Sequence, residues 1–221
     1  MEIPMEADIE DIDYRVYLVW QGDRLESWYR KLHDRLLEVN PEAVMNLWTV
    51  NAGRYNHLIG TPRQMSTRMN MLLDCPTQEW WRYEYKNGNN IDAAFGAAYI
   101  KTVTGNRVAA CEPYYMTKSA EAAAFGSLPA YEVISRAMLC ITNGAYYADI
   151  TSWPIGKEII NNAVSAVVKR NKWLVHADRL PYIAMLFSEQ TRQFYGRTVE
   201  RINKGVLANS FGMFRMSVNE H

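Results

Sequence analysis

The sequence predicts an α/β protein with a largely parallel sheet, and three observations point there. Short apolar, strand-like runs begin near residues 44, 78, 107, 144 and 182. Segments with three-to-four apolar spacing lie between them. The repeat is close to the length of a βαβ unit, roughly 30 residues.

The elements follow in order. Arg24–Glu38 places Leu25, Trp28, Leu32 and Leu36 on one helical face, and Asn40-Pro41 ends that helix. Val44–Val50 (VMNLWTV) reads as a strand. Asn51–Pro76 is polar, with Gly53, Gly60 and Pro62, and reads as a loop with a helical turn around Met65–Leu72. Gln78–Tyr85 (QEWWRYEY) is strand-like, and Lys86–Asn90 (KNGNN) breaks it. Ile91–Val103 is Ala-rich, with Ile91, Phe95, Ala98 and Tyr99 on one face, and reads as a helix. Arg107–Cys111 is a strand running into Glu112-Pro113. Ala130–Thr142 is a helix carrying Val133, Ile134, Ala137, Met138 and Ile141, stopped by Asn143-Gly144. Ala145–Ile150 is a strand, Gly156–Lys172 a helix, Tyr182–Phe187 (YIAMLF) a strand and Thr191–Lys204 a helix, after which Gly205–His221 has no clear period.

Composition narrows the function classes. The 221 residues hold 24 basic and 24 acidic side chains, so no basic excess argues for nucleic acid or an acidic membrane. No apolar run reaches the roughly 18 residues of a membrane span. Met1–Asp13 is acidic and does not read as a signal peptide, which makes the cytoplasm the default compartment. Cys75, Cys111 and Cys140 are widely spaced and form no CxxC pair, so neither a disulfide framework nor a zinc ribbon is suggested. No metal and no cofactor are expected. GxGxxG and GxxxxGK[ST] are absent, which disfavours an open nucleotide-binding domain, and GxSxG is absent too. Cys111 has no evident His partner and reads as a buried structural thiol. The unusual feature is aromatic content, with 7 Trp and 14 Tyr.

In α/β folds the variable loops gather at the carboxyl ends of the strands, so chemistry is expected there. Glu79 sits in DCPTQEWW beside Trp80 and Trp81. Glu112 ends RVAACEPYY ahead of Tyr114 and Tyr115. Sugar rings stack on Trp and Tyr, and a carboxylate pair supplies acid, base or nucleophile at an anomeric carbon. Glu112 and Glu79 are therefore the candidate catalytic residues. Arg54, Asn56 and His57, with Tyr55 among them, follow the first strand and are candidates for binding sugar hydroxyls; Asp149 and Trp153 follow the fourth and line the same rim. Plainer assignments compete. Glu79 also fits a surface carboxylate, His57 a polar loop residue, and one of Trp80 and Trp81 a core residue, because neighbours on a strand alternate faces.

Several segments carry a resemblance: RLESWYRKLHDRLLEVNPEAVMNLWTVNAGRYNH, RMNMLLDCPTQEWW, NRVAACEPYYM, and LPAYEVISRAM with ITNGA. Together they resemble the later part of a bacterial TIM-barrel glycoside hydrolase of the group related to β-galactosidases, in which a trimerisation-type domain follows the barrel. HADRLPYIAMLFSEQTRQFYGR is similar to the first strand and loop of that flavodoxin-like domain. The resemblance implies a partial (β/α)8 barrel, about the last four βα units, over residues 1–175, then the start of a trimerisation-like α/β domain over 176–221. It makes the runs at 44–50, 78–85, 107–112 and 145–150 strands five to eight. Glu112 then takes the nucleophile position and Glu79 the sixth-strand rim. Strands one to four, with the family's acid/base, have no counterpart in the sequence. The expectation is a glycosidase-like chain with weak or no activity alone, acting on carbohydrate and associating with itself or with a missing barrel half. The competing expectation is a non-catalytic carbohydrate-binding or oligomer-forming remnant that uses Trp80, Trp81, Tyr114 and Tyr115 as stacking platforms.

Overall fold

A computed structural model of the chain describes residues 10–50, 67–80, 91–105, 108–113, 130–148, 157–174, 184–186, 188, 213–214 and 216–217. The chain divides into two compact units, one of Met1–Asp74 with Ile183–His221 and one of Cys75–Tyr182.

The first unit opens with α1, Ile12–Val39. Asp11 caps it, its side chain accepting the Asp13 N–H at 2.9 Å and so satisfying one of the free donors of the first turn. At the other end the Asn40 N–H donates to the Leu36 carbonyl at 2.8 Å, and the Asn40 side chain turns the chain by accepting the Glu42 N–H at 3.1 Å. The stop at Asn40-Pro41 is where the sequence puts it; the start lies a dozen residues earlier than Arg24. Residues 12–23 hide their helical character because β-branched and aromatic residues, with Gly22, are weak helix formers. Burial of Tyr14 and Leu18 and a run of ring contacts from Tyr14 to Tyr17 (6.4 Å) and Tyr17 to Trp20 (5.9 Å) hold the helix there. Strand β1, Trp48–Val50, and helix α2, Thr67–Leu72, follow. Residues 184–186, expected inside a strand, carry none, and Leu186 is 94% exposed. The apolar run YIAMLF has strand propensity, but a strand exists only through ladder partners, and none pairs with 184–186.

The second unit is α/β with a small parallel sheet. Its elements are β2 (Thr77–Trp80), α3 (Ile91–Val103), β3 (Ala110–Pro113), α4 (Ala130–Thr142), β4 (Tyr146–Tyr147), α5 (Lys157–Val168) and α6 (Asn171–Leu174). Helices α3 and α4 have the bounds read from the sequence. The expected helix over 156–172 is instead two, interrupted at Lys169-Arg170. Strands lie in chain order, β2-β3-β4, with both pairings parallel. Thr77 is opposite Ala110, Glu79 opposite Glu112, and Cys111 opposite Tyr147.

One cluster organises this unit. Ala97 and Ile100 of α3, Ala109 and Cys111 along β3, Cys140 of α4 and Ala145 before β4 are all buried together. Both crossover helices thus pack against the same side of β3, the side of residues 109 and 111. In the middle of helix α3, residue 94 and residues 96–100 are buried and Phe95 is half-buried, the pattern of a central helix of small and apolar residues. A second cluster joins Val133 and Ala137 of α4 to Ala163 of α5, with Tyr147 packed against both clusters. Cys111 and Cys140 are fully buried thiols, the structural role expected for Cys111.

Helix α4 ends in a glycine turn. The Ala145 N–H reaches the Cys140 carbonyl at 3.1 Å, the Gly144 N–H reaches the Ile141 carbonyl at 3.0 Å, and Gly144 has φ +87°. This is the Schellman arrangement, which delivers the chain into β4. A Cβ at residue 144 would also meet Lys101 Cγ of α3 at 3.1 Å.

Two stability predictions follow from these contacts. Ile100→Ala is expected to lower the unfolding free energy by about 2–5 kcal/mol through the cavity it leaves, measured as a reduced urea midpoint with an unchanged slope. Gly144→Ala is expected to cost about 1 kcal/mol or more, since alanine resists positive φ; a thermal melt identical to that of the parent would contradict the glycine's role.

Candidate functional site

Register brings the two carboxylates named from the sequence to neighbouring positions. In the parallel pair β2–β3, Glu79 is the direct partner of Glu112, each third in its four-residue strand and near its carboxyl end. Adjacent strands lie about 4.8 Å apart, so the two backbones hold these positions at that spacing. Alternation puts residues 77 and 79 of β2 and 110 and 112 of β3 on one side of the sheet. Residues 78, 80, 111 and 113 fall on the other. The second side is the one on which α3 and α4 bury Cys111. The Glu79 and Glu112 positions therefore belong to the side away from the helices, level with each other.

This register has a local cause. The Ala110 N–H donates to the Pro76 carbonyl at 3.0 Å and the Tyr146 N–H to the Ala109 carbonyl at 2.8 Å, which sets β2, β3 and β4 in step where they begin. Thr77 and Ala110, one pleat earlier on the same side as the two glutamates, are both buried.

The remaining candidates separate by position. Trp80 ends β2 opposite Pro113, at a position on the helix side of the sheet. Trp81, Arg54, Asn56, His57, Tyr114, Tyr115, Asp149 and Trp153 lie outside the described residues. Among the described residues, no group of three or more His, Cys, Asp or Glu is arranged to hold a metal ion, and no helix is long and apolar enough to cross a membrane.

Two polar features escaped the sequence reading. Arg136 is 2% exposed and lies on the same stripe of α4 as Val133, Ala137 and Cys140. A guanidinium stays charged, so its burial demands compensating interactions. The signal was available: a cation three residues after Val133 and four before Cys140 interrupts an apolar stripe. The other feature is in the first unit. His33 Nε2 of α1 lies 3.1 Å from Asp74 Oδ2, and that oxygen also accepts the Met45 N–H at 2.8 Å. The Asp74 N–H in turn donates to the Met45 carbonyl at 3.1 Å. These bonds occupy Asp74 with anchoring the segment before β1 to the end of α2 and to α1. Nothing in the sequence spacing pairs residues 33, 45 and 74.

The comparisons add no relative. No protein-family model, no curated protein and no solved structure matches this chain. The site therefore rests on its own geometry.

Asp74→Ala is expected to destabilise the protein by about 1–3 kcal/mol, because it strands the Met45 N–H without its side-chain acceptor. Hydrogen exchange should show the loss as faster exchange at Met45; unchanged protection there would remove Asp74 from its anchoring role.

Proposed function

We propose that this chain is a glycoside hydrolase-like protein, the later half of a (β/α)8 barrel, acting on carbohydrate through a carboxylate pair. The observation that carries the proposal is the register of Glu79 with Glu112. Positions opposed on adjacent strands suit carboxyl groups about 5 Å apart, the separation of retaining glycosidases. The two-carboxylate route needs one group as acid and the other as nucleophile at the anomeric carbon. Glu112 is assigned as nucleophile and Glu79 as the group that protonates or binds beside it, with Tyr114, Tyr115 and Trp81 as the aromatic wall; the Trp80 position, on the helix side of the sheet, takes no part in it.

Strand order supports the barrel part of the proposal. A doubly wound sheet reverses its order at a switch point and carries helices on both faces. Here β2, β3 and β4 run in chain order, and α3 and α4 pack on one side of β3. A barrel requires that winding, with helices outside and strand-end carboxylates within. The βα units of this chain account for about half of such a barrel, and we propose that the chain associates with a second copy of itself or with the rest of a barrel.

Two measurements test this. With aryl β-glycosides, the chain is expected to turn over slowly, and Glu112→Gln to reduce that rate by about 100-fold or more. Turnover indifferent to Glu112→Gln and to Glu79→Gln would overturn the carboxylate-pair mechanism. Oligosaccharide binding that survives both substitutions, with no turnover in the parent, would favour the carbohydrate-binding remnant. Light scattering is expected to give a mass above the 25.5 kDa of one chain; a monomer at all concentrations would count against association.

A further inference from the structure

We draw no further inference here: the strongest candidate, the exposed apolar stripe of α1 formed by Trp28, Leu32, Leu36 and Val39, carries nothing because nothing in the structure shows what covers it.

Discussion

The close seating of α3 and α4 on one side of β3 is the constraint on which the second unit depends. Small side chains make it possible. Ala97, Ala109, Cys111, Cys140 and Ala145 leave room for the helices to approach the strand, and Ile100 fills the space between them. A slip of one residue in β3 would exchange Cys111 for its neighbours on the helix side, placing a glutamate or an alanine where the thiol now packs. The core thereby enforces a single register. The opposition of Glu79 and Glu112 is a by-product of that enforcement, since β2 and β3 are in step throughout their ladder.

The same arrangement divides the labour between the two sides of the sheet. The helix side holds apolar clusters that Tyr147 links from β4 into α5. Chemistry that needs charge and water has no place in that layer, and the paired glutamate positions lie on the other side. Arg136 is the exception, a charge in the apolar stripe of α4. The desolvation of a guanidinium offsets much of what its interactions contribute to stability.

The first unit is organised by hydrogen bonds as much as by apolar burial. Asp11 and Asn40 close the two ends of α1. Asp74 then joins three stretches that are distant in sequence: a helix, the segment before β1 and the turn after α2. Leu73 and Asn70, both fully buried, flank that anchor and place the turn in the interior of the unit.

Local pattern in the sequence was enough to determine the helices whose own residues specify them. The Ala-rich run from Ile91 and the stripe from Ala130 to the Asn143-Gly144 stop appear with the bounds read from them, because periodicity and a glycine cap act within one segment. The parallel α/β class was legible for the same reason, as was the position of Glu79 and Glu112 near strand ends. Tertiary structure alone decided the rest. Helix α1 extends back to Ile12 because burial of Tyr14 and Leu18 outweighs poor propensity, and YIAMLF is no strand at 184–186 because propensity cannot supply a partner. Whether two glutamates in different strands stand opposite or one step apart is likewise a question of register. Register is set by contacts between segments remote in the chain, and such contacts leave no local mark on the residues that make them.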